Sequence, residues 1–418
     1  MIRDFAVPAG CAPARLGPGA GGAWTAAHWT PPELAALAAR LAGGGAAALA
    51  SVPLARRLEV WNQALGALLD PESEERRALV PALVATARLS PEGLSEALEI
   101  VLGGWLGEEA ERLATRAPRR VEAGLDGVVL AGNVPGLAAQ CLLPALVAGR
   151  PLALKSSTSE PLFAPALVAA LARREPALGE AFAAVSFPGA EPAALDALLA
   201  GARRVLAYGG KEALAGLGVR LGARLVGQGP KASVALVARD VDTLAVGRAL
   251  ARDVALLDQR GCLSVHAVFA EGDARELAEA LAFGLAFEHR RLPPGPPDPG
   301  ALARVQQWRG AAELGDALIG RLGPLEGTVV LTLDARFQPS PGLRAVRVHA
   351  LSVVGDALAA IAPWRGRLQG AALAGAGALE LSSALEALGV SRLAAPGRLQ
   401  AADAGWENGG IDPLRVFA

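Results

Sequence analysis

Lysine is nearly missing from this 418-residue chain: Lys155, Lys211 and Lys231 stand against 37 arginines among 40 basic side chains. With Ala, Gly and Pro abundant, the shortage reads as a compositional drift that replaces lysine wherever a guanidinium serves as well. A lysine that remains marks a place suited to a compact ammonium, or survives by chance. Asparagine is as rare, at Asn62, Asn133 and Asn408. Three cysteines make no disulfide framework and point to free thiols in a reducing cytoplasm. A net charge of −1 gives no electrostatic reason to expect nucleic acid or an anionic membrane as partner. The longest apolar-looking stretch, 127–149, contains Asn133, Pro135, Gln140 and Pro144, which argue against an integral membrane segment. The start, MIRDFAVPAG, resembles no secretory signal. His28, His266, His289 and His349 show no metal-ligand spacing, so no metal is expected, and GxSxG, P-loop, HExxH and CxxC motifs are absent. These absences leave a cytoplasmic protein of two or three domains.

Residues 1–23, rich in Pro and Gly, read as an irregular arm, and 30–115 read as helices. Thr30, Asp70 and Ser90 each precede proline and acid, the pattern of an N-cap and first turn. From 127 the rhythm changes. Short apolar runs at 127–132, 151–155, 183–187, 204–208 and 224–226 alternate with helical patterns, as in a parallel sheet with right-handed crossovers. A second α/β unit starts near 232, with strands at 232–238, 265–270, 328–333 and 345–350 and helices at 242–257, 272–287, near 301–321 and 354–362. The segment RLPPGPPDPGA (291–301) reads as an exposed loop. The expected division is 1–231, helices and a nucleotide-binding domain, and 232–385, a domain carrying a reactive cysteine. The tail 386–418 rejoins the first.

Cys262 sits in DQRGCLSVH, a polar loop after a helix, the setting of a reactive thiol rather than a core cysteine. Arg260 is a candidate to stabilise its thiolate. Cys141, in AAQCLLPALV, reads as packing, and Cys11 has no context. Asn133 follows a buried strand in VVLAGNVPG, where its amide either donates to an oxyanion or closes an Asx turn. Lys155 ends the strand PLALK and is followed by Ser156, Ser157 and Thr158, a lysine and hydroxyls converging with a helix N-terminus on one anion-sized volume. Gly209-Gly210 form a second candidate phosphate turn; GxGxxG is missing. His266, four residues after Cys262, is placed in an apolar strand and read as structural rather than as a base.

AGNVPG (131–136), LKSSTSEP (154–161), YGGKE (208–212), GPKASVALV (229–237) and DQRGCLS (258–264), in this order, resemble the aldehyde dehydrogenase superfamily. More closely they resemble its acyl-CoA reductase branch, the LuxC-type component of fatty acid reductase; WENGG near the C-terminus adds a looser likeness. The resemblance implies an α/β fold, aldehyde-dehydrogenase-like, with a Rossmann-type cofactor domain and a second α/β catalytic domain. It implies that Cys262 is the nucleophile and Asn133 the oxyanion donor. Lys155 would contact the adenosine ribose or its 2′-phosphate, with Ser157, Thr158, Gly209 and Gly210 around the cofactor. NAD-preferring relatives carry glutamate three residues beyond that lysine; Thr158 stands here, which implies NADP(H). Gly227 stands near the place of the glutamate base of hydrolytic relatives, against oxidation to free acid. The implied substrate is an acyl-CoA or other acyl thioester, and the implied partners are copies of the same chain and an acyl-protein synthetase. The competing readings are an acyl-phosphate reductase of the γ-glutamyl phosphate reductase type, a catalytically silent homologue, and a thiol hydrolase or transferase.

Overall fold

The computed structural model describes residues 2–117, 124–315, 317–320, 322–323 and 325–417. The N-terminal arm is more ordered than its composition predicts. It forms an antiparallel hairpin, β1 (Arg15–Pro18) and β2 (Thr25–His28), and Ala6 bridges Ala184 of the first large sheet. Phe5 and Trp29 pack edge to face with ring centroids 5.9 Å apart, supplying an apolar anchor that Pro and Gly counts do not register.

Five helices follow: Pro31–Ala50, Leu54–Leu69, Glu74–Ala87, Pro91–Gly103 and Glu108–Thr115. Two start as their caps predict. The Glu33 carboxylate accepts from Thr30 N at 2.8 Å, and Ser90 Oγ accepts from Gly93 N at 3.0 Å. Asp70 is not an N-cap: its carboxylate accepts from Glu72 N within a turn, and Ser73 caps the next helix by accepting from Arg76 N. Asp-Pro favours the turn, and a better-placed hydroxyl lies three residues on. Pro31–Ala50 is long and apolar enough to cross a bilayer. Here it lays Leu34, Leu37 and Leu41, all fully buried, against the core of the first sheet, and a Cβ on Gly45 would meet Pro151 at 2.7 Å.

The first sheet is wholly parallel, in the order β5 (Phe182–Ser186), β4 (Leu152–Ser156), β3 (Leu125–Val129), β6 (Ala202–Tyr208), β7 (Leu225–Gln228). Helices cover both faces, as the continuous apolar strands require. The second sheet comprises β8 (Ala232–Val237), β9 (Val265–Glu271), β10 (Ala317–Ile319), β11 (Thr328–Thr332), β12 (Ala345–Leu351), β13 (Leu368–Ala374) and β14 (Arg392–Ala394). Their order is β10-β11-β12-β9-β8-β13-β14, parallel except for β10. Strand β10 falls in a stretch expected to be helical; the helix there is Pro299–Gly315, and 316 and 321 lie outside the described residues.

The tail divides its contacts. Strand β14 pairs with β13 of the second sheet, whereas Leu414, Val416 and Phe417 belong to the first core. Asn408 stitches both. Its backbone oxygen accepts from Gln228, its side-chain oxygen accepts from Gln369, and its amide donates to Gln140.

Candidate active site

The chain passes from β7 into β8 through residues 229–231 alone, so the exit edge of one sheet faces the entry edge of the next. Strand order in the first sheet reverses at β3, and a crevice therefore opens beyond the C-terminal ends of β3 and β6. Asn133 follows β3, and Gly209-Gly210 follow β6. Opposite lies the N-terminal edge of the second sheet, where Lys231 precedes β8, Cys262 precedes β9 and Leu343 precedes β12. These residues, with Arg88, Tyr208, His266 and the segment 295–298, enclose a cleft of about 680 Å³.

Cys262 and Asn133, 129 residues apart in sequence, line this one cleft. Asn133 Nδ2 donates to the backbone oxygen of Arg260 at 2.7 Å, which ties the turn after β3 to the loop carrying the thiol. The second amide hydrogen is left for another acceptor. Cys262 is half-buried, and Ser233 Oγ donates to its carbonyl at 2.8 Å. Burial pushes its thiol up to about 11; hydrogen bonding from the backbone at Cys262 and Leu263 and the charge of Lys231 act the other way without offsetting it. The thiolate is then roughly a thousandth or less of the population near neutral pH. Alkylation of Cys262 by iodoacetamide, followed by mass spectrometry, is expected to keep accelerating beyond pH 9. Lys231→Ala should push the profile higher still, and a rate that levels off by pH 8 would contradict this picture.

The cation acting on the sulfur is Lys231, not Arg260. The Arg260 guanidinium donates backwards to Leu257 O and Arg88 O, both at 3.2 Å, because a side chain two residues before the thiol in this turn points away from it. Lys231 Nζ also donates to Gly366 O at 3.0 Å.

Lys155, Ser157 and Thr158 stand at the C-terminal end of β4, on the same sheet edge but outside the lining of the cleft. The Lys155 ammonium is buried over the Phe187 ring, 5.4 Å from its centroid, and makes no ion pair among the described residues. Burial pulls its pKa down, while Glu191 favours the charged form. Ser157 Oγ pairs with Ser159 Oγ at 2.8 Å, and a Cβ on Gly132 would meet both hydroxyls, so the β3 and β4 turns are packed together. Thr158 is exposed. The helix N-terminus expected to complete this anion site is taken. Glu160 turns its carboxylate onto Leu162 N and Phe163 N, at 3.0 and 2.8 Å, and burial raises it to about 7. The Gly209-Gly210 turn lines the cleft by contrast, and Gly210 starts the helix Lys211–Leu221 with no side chain capping it.

On sequence alone Tyr208 carries no role and His266 a structural one, yet both line the cleft. Tyr208, the chain's one tyrosine, lies 3.9 Å from Cys141 Sγ. Cys141 is fully buried, its thiol pushed up to about 12 by burial. His266 faces the cleft with Nδ1 3.0 Å from Ser340 Oγ, and burial lowers it to about 4, leaving the ring neutral at pH 7. The segment 291–301 is not a free loop. Leu292 and Gly295 are buried, and Gly295 N donates to Asp258 at 2.9 Å. Proline spacing shows where a chain cannot be helical, not what it packs against. Among the described residues two carboxylates line the cleft. Asp258 is bound to Arg344 and Gly295 N, and Asp298 to Ala301 N.

Two parallel sheets meeting edge to edge across a thiol-lined cleft define an α/β protein of the aldehyde dehydrogenase fold. Solved structures similar to it include an Escherichia coli NADP-dependent enzyme, at 15% identity and TM-score 0.77 over 99% of this chain and 93% of that one. An oxidoreductase from Marinobacter aquaeolei is similar at 16% identity and TM-score 0.74, covering 93% of this chain and 87% of that one. A Mycobacterium tuberculosis aldehyde dehydrogenase complexed with NAD+ is similar at 17% identity and TM-score 0.69, again over 93% and 87%. The chain belongs to the acyl-CoA reductase (LuxC) family, whose model matches residues 86–418. No curated protein sequence matches it.

Proposed function

We propose that this protein reduces an acyl-CoA to the aldehyde with NADPH through an acyl group carried on Cys262. The observation that carries the reading is the shared cleft, in which an amide tethered beside the thiol loop faces the same space as the sulfur. The Cys262 thiolate attacks the thioester carbonyl; the new C–S bond forms while Asn133 Nδ2 and the Cys262 backbone N–H hold the oxyanion. Collapse breaks the bond to CoA, whose thiolate takes a proton from solvent. A reduced nicotinamide cofactor, when bound, supplies hydride to the carbonyl carbon of the acyl group on Cys262. Collapse of the resulting oxyanion releases aldehyde and restores the Cys262 thiolate. Asp258 is held on both oxygens by Arg344 and Gly295 N, so this buried carboxylate is not free to activate water, which favours reduction over hydrolysis of the acyl-enzyme.

Lys155 fits a cofactor phosphate, because a buried ammonium resting on a ring and lacking an ion pair gains its counter-charge from a bound anion. Ser157 and Thr158 flank it, and the uncapped amides after Gly209-Gly210 suit the pyrophosphate. Thr158 presents no charge to a 2′-phosphate. Thr158→Glu is expected to weaken NADPH binding about 10- to 100-fold and NADH binding far less, read by quenching of protein fluorescence. Equal weakening of both would remove Thr158 from cofactor choice.

The reaction is tested by following NADPH consumption across acyl-CoAs of increasing chain length, with acyl phosphates in parallel. Turnover confined to acyl phosphates would replace this reading with the rival reductase. The same reading places the domain boundary at 231/232, the protein in the cytoplasm as an oligomer of one chain, and an acyl-protein synthetase as partner.

A further inference from the structure

Seven non-glycine residues among those described have positive φ, and six surround the nucleophile loop: Arg88, Leu257, Asp258, Gln259, Leu343 and Arg344, with φ between 49° and 60° or at 61°. Three consecutive left-handed residues immediately before Arg260-Gly261-Cys262 form a turn that the backbone does not adopt unaided. Strain of this kind persists only where surrounding contacts over-determine it, and it gathers at functional sites.

The contacts that impose it are buried and specific. Asp258 Oδ1 accepts from Arg344 Nε and Nη2 at 3.1 and 2.7 Å, and the two side chains are 6% and 2% exposed. Asp258 Oδ2 accepts from Gly295 N at 2.9 Å. Gln259 spans to β9 and β12: its amide donates to Val265 O and Ala345 O at 2.7 and 2.6 Å, and its oxygen accepts from Ala345 N at 2.9 Å. One carboxylate thus joins the nucleophile loop, the 343–344 turn and the 293–297 segment.

We propose that the Asp258–Arg344 pair is a positioning device, holding the left-handed turn so that Cys262 faces Asn133 across the cleft. Asp258 and Arg344 act through the loop rather than on the substrate. The inference rests on Cys262 being the nucleophile proposed above.

The structure contains its own control. Asp126 and Arg150 form a second ion pair of matching burial, 0% and 1% exposed, with Nε to Oδ2 at 2.8 Å. It sits at the N-terminal end of β3, the edge of that sheet away from the cleft. Asp258→Asn leaves the buried Arg344 without its counter-ion, and Asp126→Asn removes the carboxylate shared by the buried Arg150 and the half-buried Arg203, so both should lower Tm. Only Asp258→Asn should lower kcat, by about 10- to 100-fold with KM within about 3-fold, the effect of a misplaced reacting atom. Alkylation of Cys262 at pH 8 should move the opposite way and quicken in Asp258→Asn alone, because a released loop lets the thiol leave its buried seat. Arg344→Lys, which keeps the charge but not the fork, should lose less than Arg344→Ala, and added guanidinium should restore part of the kcat of Arg344→Ala. If Asp258→Asn and Asp126→Asn lose kcat equally, or neither changes alkylation, the pair is structural only and the proposal fails. If the wild type reduces no acyl thioester while alkylation still separates the two variants, the functional reading fails and the positioning role stands.

Discussion

Cys262→Ala is expected to abolish acyl-CoA-dependent NADPH oxidation, a loss of at least about 10³-fold in kcat, with NADPH binding unchanged. Neither other cysteine can take over. Cys141 is fully buried with its thiol pushed up to about 12, and Cys11 packs with the first-sheet core rather than the cleft. The exchange removes one sulfur from a half-buried position, so the melting temperature should move little. NADPH oxidation by purified Cys262→Ala, with cofactor fluorescence as binding control, decides the matter. Retained turnover would mean that no acyl group passes through this sulfur. Mass spectrometry of the wild type mixed with acyl-CoA, without NADPH, should show one acyl adduct, on the peptide containing Cys262.

Asn133→Ala is expected to cost about 10²- to 10³-fold in kcat, the usual effect of deleting one oxyanion donor. Part of any loss could come from the bond Asn133 gives to Arg260 O, which tethers the loop. Asn133→Asp separates the two contributions. Both variants lose the donor and the tether, but the carboxylate also sets a negative charge where the oxyanion forms. A lower kcat for Asn133→Asp than for Asn133→Ala marks electrostatic stabilisation. Equal losses would mark the tether alone and take Asn133 out of the chemistry.

The parts of the fold that were legible in the sequence are those governed by local periodicity. Continuous apolar runs of about five residues, spaced by helical patterns, sufficed for a parallel sheet from β3 to β7, because helices buried against both faces leave strands no polar side. Caps at Thr30 and Ser90 were readable because they act within three residues. Asp70 was misread because a local turn and the hydroxyl of Ser73 compete for the cap, the β1–β2 hairpin and β10 because pairing overrides local composition, and the segment 291–301 because its partner Asp258 is remote in the chain.

The site divides in the same way. Cys262 and Asn133 stood out as a thiol in a polar loop and a rare amide after a buried strand. Arg260 was adjacent in sequence and pointed away, whereas Lys231, 31 residues earlier, enters the cleft because β8 and β9 are neighbours that start at one sheet edge.

The amino-acid order by itself determined the alternation of strands and helices from β3 to β7, and which residue types are chemically able to act. Periodicity and side-chain chemistry are properties of the chain and survive without a fold. Tertiary structure alone decided that the exit edge of one sheet meets the entry edge of another, that Glu160 occupies the helix terminus beside Lys155, and that Asp258 reaches Arg344, 86 residues away. Those outcomes depend on which buried groups find partners once water is excluded, a condition met only when distant segments have already packed.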